Sequence, residues 1–222
     1  MSVLLARDIT YRRGGRTILD GAELEVDRGQ MLAVSGPSGS GKTTLLLIAA
    51  GLMPADSGQV LLDGVPVAEW TAQARASIGV ILQTYGLMPF LTAEENVALP
   101  MQARRMGRGD IEAAATTALE EVGLLGMRHR LVSELSGGQK QRVALARAIA
   151  GDPEVIIADE PTSELDPENR DRVIRLLVEK AGAGSAVAVA SHDRHVTAAC
   201  HRIIRLVHGH GVRAPASGRQ PG

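Results

Sequence analysis

Apolar and polar positions alternate in short blocks near the start of the chain. Apolar residues at 3–6 and 17–19 flank a polar stretch around Gly14 and Gly15, which predicts two antiparallel strands joined by a glycine turn. The apolar run 31–35 leads into a glycine-rich loop, and a helical pattern follows at 42–51. The chain is therefore expected to begin with antiparallel strands and to continue with a strand, a loop and a helix.

Helical and strand patterns then separate into two regions. Alanine and leucine recur at helical spacing between about 84 and 152 with little strand signal, which predicts an inserted α-helical subdomain with helices at 93–106, 110–122 and 138–150. Elsewhere the pattern predicts strands at 59–62 (ending in the turn pair Asp63-Gly64), 78–82, 154–158, 185–190 and 203–207, a helix at 167–181 and a shorter one after His192. Strands that alternate with helices indicate an α/β fold with a mostly parallel sheet covered on both faces.

Length and charge narrow the class of protein. The 222 residues suit one substantial domain, expected at 1–213, with a disordered tail at 214–222 that is rich in glycine and proline. Lysine plus arginine is 24 and aspartate plus glutamate is 25, and the chain has one Trp, two Tyr and one Phe. Neither a basic surplus nor aromatic stacking platforms are present, so no nucleic acid partner is expected.

The cysteine content, the first residues and the longest apolar run indicate the cellular compartment. Cys200 is the only cysteine, so the chain forms no internal disulfide and a reducing compartment is expected. The first seven residues lack a signal-peptide pattern. The apolar run 45–53 is far shorter than the roughly 20 residues that cross a bilayer, so any membrane association is expected to use a partner.

The glycine-rich loop matches the phosphate-binding pattern G-x-x-x-x-G-K-[ST] and lies between a predicted strand and a predicted helix. Glycines let successive backbone N–H groups face an anion, and the helix dipole adds to the attraction. Lys42 is expected to bind the β- and γ-phosphates of a nucleotide, and the Thr43 hydroxyl to bind Mg²⁺. The candidate nucleotide-binding residues here are Gly36, Pro37, Ser38, Gly39, Ser40, Gly41, Lys42, Thr43 and Thr44.

Two carboxylates follow the apolar run 155–158. Asp159 and Glu160 come at the carboxyl end of a predicted strand, where open α/β sheets place their ligands. Asp159 is suited to bind Mg²⁺, whereas strand alternation turns Glu160 the other way, where it could polarise an attacking water. Taken alone, the pair would more often be a solvated acidic loop. The phosphate loop shifts the balance towards a catalytic site.

Leu135-Ser136-Gly137-Gly138-Gln139 resembles the signature of the ABC-type ATPases, the nucleotide-binding subunits of ABC transporters. Taken alone, the segment would be a serine N-cap followed by flexible glycines. The resemblance covers roughly residues 3–213, because the other family elements also occur in order: Tyr11, the phosphate loop, Gln83, Asp159-Glu160, Asp166 and His192. It implies the P-loop NTPase fold, with an N-terminal antiparallel β subdomain beside the α/β core.

The resemblance also implies roles for individual residues. Two subunits would pair head to tail on ATP binding, as a homodimer or with a related ATPase, and Ser136, Gly137, Gly138 and Gln139 of one would bind the ATP held at Lys42 of the other. Tyr11 would stack on adenine, Gln83 would contact Mg²⁺ and the attacking water, His192 would contact the γ-phosphate, and Asp166 would lie at the dimer interface. Read without the family, Tyr11, Gln83 and His192 would each be ordinary structural residues.

One position departs from the family pattern. Glu164 stands in Ser163-Glu164-Leu165-Asp166 where a small residue is common, which adds a charge near the expected dimer interface. That charge would either slow closure or point to solvent. The basic residues around the signature segment (135–139) are expected to line a nucleotide-facing or solvent face: Arg128, Arg130, Lys140, Arg142 and Arg147.

The segment 84–101 resembles the lipoprotein-release, macrolide-export and cell-division branch of the family. This implies an ATPase at the cytoplasmic face of the membrane that drives an integral membrane permease. Alternatives are a soluble ABC regulator or assembly scaffold that transports nothing and, less in keeping with the signature, a phosphotransferase; a tandem translation-factor ATPase would need a second cassette. His208-Gly209-His210 is expected to be a hairpin turn after the strand at 203–207 rather than a metal site.

Overall fold

The computed structural model describes residues 2–207 and 209–213. Its strands are β1 (Ser2–Arg13), β2 (Arg16–Asp27), β3 (Met31–Ser35), β4 (Ser57–Leu62), β5 (Val65–Pro66), β6 (Ile78–Ile81), β7 (Val155–Asp159), β8 (Ala186–Ala190), β9 (Arg202–Val207) and β10 (His210–Arg213). Its α-helices are α1 (Lys42–Ala49), α2 (Ala72–Ala76), α3 (Ala93–Ala103), α4 (Arg108–Glu121), α5 (Gly137–Ile149), α6 (Pro167–Gly182) and α7 (Arg194–Ala198).

The N-terminal strands form an antiparallel sheet in the order β2-β1-β4-β5. The predicted glycine turn is confirmed: Arg13 pairs with Arg16, and Gly14 and Gly15 both have positive φ, as a two-residue turn between twisted strands requires. Both strands reach 12 residues, much longer than the predicted 3–6 and 17–19. Register irregularities interrupt the pairing of the two strands. They also interrupt the alternation of apolar and polar residues from which the length of a strand is predicted.

The second sheet is parallel from β9 through β3, β8 and β7 to β6, with β10 antiparallel at the edge. Alternate residues of its central strands belong to two different hydrophobic cores, because successive side chains point to opposite faces. Met31, Ala33, Ile156 and Ala158 pack with α3 to α6, whereas Leu32, Val34, Val155 and Ile157 pack with α1 and the antiparallel sheet. The sheet is thus buried on both faces, as predicted.

The predicted helical section contains α3, α4 and α5, whose ends differ from the sequence expectation by at most three residues. The short elements β5, α2 and β10 were not predicted, since two to five residues are too few for a periodic pattern. The predicted turn after β9 is present, with Gly209 at φ +82°, although His208 lies outside the described residues. The expected tail at 214–222 also lies outside them, and the subdomain boundaries at 84 and 152 stay a prediction.

Candidate nucleotide-binding and catalytic site

The phosphate loop (residues 36–43) connects β3 to α1 and depends on glycine. Gly36 has φ +148°, and a Cβ there would overlap with the Leu206 carbonyl. Gly41 has φ +99°, and a Cβ there would lie 2.7 Å from the Leu19 side chain. The loop therefore packs against β9 and β2 so closely that other residues would not fit.

Lys42 lies across the phosphate loop. Its Nζ donates hydrogen bonds to the carbonyl oxygens of Gly36 (2.9 Å) and Pro37 (3.1 Å). The side chain of Ser40 in the same loop is buried, and its Oγ has no hydrogen-bond partner among the described residues. The lysine is thus held at the first residue of α1, where the positive end of the helix dipole also favours an anion.

The end of β7 adjoins the loop. Thr43 Oγ1 donates to Asp159 Oδ2 at 2.7 Å, which joins the first turn of α1 to the strand end. Asp159 is buried, and burial raises the pKa of its carboxyl, while the Thr43 hydrogen bond acts in the opposite direction. A buried carboxylate beside a hydroxyl forms a pair of hard oxygen ligands.

Glu160 leaves the strand conformation, so the expectation from strand alternation is wrong. Its φ is +49°, a left-handed conformation that costs a residue other than glycine about 1 kcal/mol. Backbone hydrogen bonds hold it there: its N–H donates to the Ala190 carbonyl (2.8 Å), and its carbonyl accepts from Gln141 Nε2 (2.9 Å). As a result, Glu160 lines the same cleft as Asp159 instead of the opposite face.

The Glu160 carboxylate is bracketed by two residues that follow β8. His192 Nδ1 lies 3.0 Å from Oε1, and Ser191 Oγ donates to Oε2 at 3.2 Å. The hydrogen bond to Glu160 and the attraction of its charge raise the pKa of His192 above 6.5. The pair resembles a base whose carboxylate is oriented by a neighbouring imidazole.

These side chains surround one open cleft of about 610 Å³, here called the nucleotide cleft. Of the residues predicted from sequence, it brings together Tyr11, Gly36, Ser38, Gly39, Gly41, Lys42, Thr43, Thr44, Gln83, Asp159, Glu160 and His192. Pro37 and Ser40 do not line it, although Pro37 binds Lys42 through its carbonyl. Sequence reasoning missed four lining residues: Arg13, Ile18, Met53 and Ser163. Arg13 and Ile18 flank the glycine turn beside Tyr11, but nothing in their pattern distinguished them from other strand residues.

The signature residues and Asp166 do not line this cleft. Ser136 caps α5: its Oγ accepts from Gln139 N (3.3 Å), and Gln139 Oε1 accepts from Ser136 N (2.9 Å), which forms a reciprocal capping box. Asp166 caps α6 and accepts from Asn169 N at 2.9 Å. On a single chain these residues act as helix caps.

The expectation for the basic cluster is wrong for two arginines. Arg147 is half-buried and donates to the carbonyls of Val80 (3.3 Å), Tyr85 (2.9 Å) and Gly86, and burial lowers its pKa. Arg142 donates to the carbonyl of Val122 (3.1 Å). Both stabilise the backbone around α5 instead of facing a nucleotide or solvent.

Comparison with known proteins identifies the family. The family model described as ABC transporter matches residues 19–163, which include the phosphate loop, Gln83, the signature segment and Glu160. The chain belongs to the ABC transporter family. It is an ATP-binding, ATP-hydrolysing cassette with the ABC ATPase fold.

Individual relatives cover nearly the whole cassette. It is 42% identical over 199 residues to the uncharacterized ABC transporter ATP-binding protein YbbA of Escherichia coli (strain K12), covering 87% of each chain. It is 37% identical to the lipoprotein-releasing system ATP-binding protein LolD of Hyphomonas neptunium, covering 93% and 94%. The dimeric post-hydrolysis structure of the cassette MJ0796 bound to ADP and Pi matches with a TM-score of 0.88 and 32% identity, covering 96% and 98%.

Proposed function

We propose that this cassette powers an integral membrane permease through ATP-driven head-to-tail dimerisation, in a system of the export or lipoprotein-release type. The observation that carries the proposal is the separation of two anion-binding features on one chain. The nucleotide cleft holds Lys42 and the acidic pair, whereas the start of α5 lies outside it. A second copy turned by a two-fold axis would bring each α5 start to the other's cleft.

The residues of the nucleotide cleft suit ATP with Mg²⁺. Thr43, Asp159 and Gln83 offer hydroxyl, carboxylate and amide oxygens, and Mg²⁺ prefers one or two carboxylates together with substrate phosphates. When bound, the ion neutralises charge on the β- and γ-phosphates. The phosphate loop is proposed to hold the phosphates through its N–H groups and Lys42, with Tyr11 stacked on adenine.

Glu160 is proposed to orient the attacking water. Its carboxylate lies in the cleft and is fixed by Ser191 and His192. A positioned carboxylate accepts a proton from water as the new bond to the γ-phosphorus forms and the bond from that phosphorus to the departing ADP breaks. His192 is proposed to contact the γ-phosphate as well. Ser136, Gly137, Gly138 and Gln139 of the second copy would complete the charge stabilisation, and Asp166 would lie at the interface.

The apolar surface beside Gln83 supports a membrane partner. Phe90 is 71% exposed and Met88 45%, and both lie in the segment between Gln83 and α3. Leu131, 39% exposed, lies nearby, since its neighbour Val132 donates to the Leu91 carbonyl at 3.0 Å. Exposed apolar side chains in one region mark docking surfaces.

No helix in residues 2–207 or 209–213 is long and apolar enough to cross a membrane. Contact between this apolar surface and the permease would place the cassette at the cytoplasmic face of the membrane.

The similarity to LolD and the segment 84–101 support the lipoprotein-release or export type. The test is a pull-down of tagged Glu160→Gln with ATP from detergent-solubilised membranes of the native host, with Glu160→Gln/Phe90→Asp as the matched control. We expect a polytopic membrane protein with the first variant and its loss with the second. Recovery of soluble partners alone would contradict the proposal and favour a regulator or scaffold.

A further inference from the structure

A tyrosine and a glutamate from distant parts of the chain are paired beside α5. Tyr85 Oη donates a hydrogen bond of 2.6 Å to Glu164 Oε2, across 79 positions of sequence. This bond, together with burial and the charge of the carboxylate, raises the pKa of Tyr85 to about 12. The hydrogen bond therefore holds the Glu164 carboxylate beside the Tyr85 phenol.

The pair lies against the first residue of α5. A Cβ built on Gly137 would overlap with Glu164 Oε2 and would lie 3.3 Å from Tyr85 Oη. The same end of the helix carries free N–H groups and the positive end of the helix dipole, which attract an anion. The carboxylate of Glu164 is thus an internal anion at the start of the signature helix.

Backbone contacts fix both partners to the same helix. The Glu164 N–H donates to Gln141 Oε1 at 3.2 Å, and Gln141 Nε2 donates to the Glu160 carbonyl. On the other side, Arg147 donates to the carbonyls of Tyr85 and Gly86. Because both backbones are tied to α5, opening the pair needs a side-chain rotation and no large loop movement.

We propose that Tyr85 and Glu164 form a latch that holds a carboxylate at the start of α5 and opposes closure of the ATP-bound dimer. The inference rests on the proposed function, which brings the γ-phosphate of the second copy's ATP to this helix end. The Glu164 carboxylate and the incoming γ-phosphate would lie at the same helix end, and two anions repel each other at close range. Closure must therefore displace the Glu164 side chain and break its bond to Tyr85.

The test measures how much ATP is needed to form the dimer. The parent protein is the whole chain with Glu160→Gln. Size-exclusion chromatography with light scattering gives its midpoint, the ATP concentration at which half of the protein is dimeric. Adding Glu164→Gln removes the charge, and we expect the midpoint to fall about fivefold or more. Adding Tyr85→Phe frees the carboxylate but keeps its charge, so we expect a smaller fall. Glu179→Gln, an exposed carboxylate near the end of α6, removes the same charge elsewhere and is expected to leave the midpoint unchanged.

The outcomes distinguish failure of the proposed latch from failure of the proposed ATP-driven dimerisation. A parent that stays monomeric at saturating ATP would overturn the proposed function and the latch with it. A parent that dimerises with the same or a higher midpoint after Glu164→Gln would overturn the latch alone. Binding of a fluorescent ATP analogue to dilute monomer supplies the second readout. We expect it to be equal in parent and latch variants, and a matching gain in monomer affinity would assign the effect to nucleotide binding and contradict the latch.

Discussion

The nucleotide cleft and the start of α5 differ in the functional groups that they contain. The cleft has a cation at Lys42, a hydroxyl–carboxylate pair at Thr43 and Asp159, and a carboxylate–imidazole pair at Glu160 and His192. The start of α5 has a capping box and two glycines, and the charged group placed against its first residue is the Glu164 carboxylate. One region is equipped for catalysis, whereas the other offers backbone donors.

This difference has a physical consequence. The cleft combines groups for binding a nucleotide and for activating water in one chain, but the start of α5 offers donors to an anion that is held elsewhere. The cleft is therefore expected to govern nucleotide binding and the chemical step, and the start of α5 to govern dimer closure. Variants that change nucleotide binding or turnover without changing dimer closure, or the reverse, test this comparison between the cleft and the start of α5.

Glu160→Gln is expected to have the largest effect. The amide keeps the shape of the side chain but cannot accept a proton from water, so steady-state ATP turnover should fall on the order of 10³-fold with ATP binding retained. Glu179→Gln serves as the charge-matched control. Turnover equal to that of the unmodified chain would remove Glu160 from the catalytic step.

Thr43→Val should have the next largest effect. Valine keeps the volume but removes the hydroxyl that donates to buried Asp159 and is proposed to bind Mg²⁺. We expect activity at limiting Mg²⁺ to fall roughly 10- to 100-fold, and Thr43→Ser, which keeps the hydroxyl, to recover it. If valine and serine behave alike in a Mg²⁺ titration, the hydroxyl has no part in the metal site.

Ser136→Ala examines the other region. Loss of the N-cap should destabilise the chain by about 1 kcal/mol, a fall in Tm of about 2–4 °C by calorimetry. Because the same hydroxyl is proposed to bind the second copy's nucleotide, turnover should fall roughly tenfold while monomer affinity for ATP is unchanged. Ser133→Ala, in the preceding turn, is the control. Weaker ATP binding by dilute Ser136→Ala monomer would contradict the division of roles.

His192 provides the smallest effect. Its pKa is raised by Glu160, so the charged pair is fully present below the ordinary value of 6.5 and is lost as the pH rises through the raised pKa. An NMR titration of the imidazole should give a midpoint above 6.5, and in Glu160→Gln the midpoint should move back towards 6.5. Equal midpoints in the two proteins would show that Glu160 does not hold the imidazole.

Sequence alone predicts the parts that rest on local rules. The phosphate loop is contiguous, and its glycines and lysine follow from the need for left-handed turns and a cation near phosphates. The α/β class, the buried parallel strands and the helical section follow from periodicity and length. Each individual helix, strand and loop among these can be deduced from a segment of fewer than about 20 residues.

Other features depend on contacts between distant segments. The Tyr85–Glu164 bond joins positions 79 residues apart, and Arg147 is fixed by carbonyls of another loop, so neither could be deduced from its own neighbourhood. Glu160 does not follow the alternation of side chains along β7, because hydrogen bonds to Gln141 and Ala190 hold its backbone in a left-handed conformation. Sequence spacing carries no sign of such contacts.

The central claim is that the start of α5 in one chain completes the nucleotide cleft of another, and cross-linking tests it directly. Two proteins with different tags would carry Glu160→Gln and Cys200→Ser, one with Ser38→Cys in the phosphate loop and the other with Ser136→Cys; both positions are exposed. Mixed with ATP and a short thiol cross-linker, they should form a covalent dimer containing both tags, and ADP should not support it. The contradicting result is the absence of that mixed dimer while a single chain carrying both cysteines cross-links within itself.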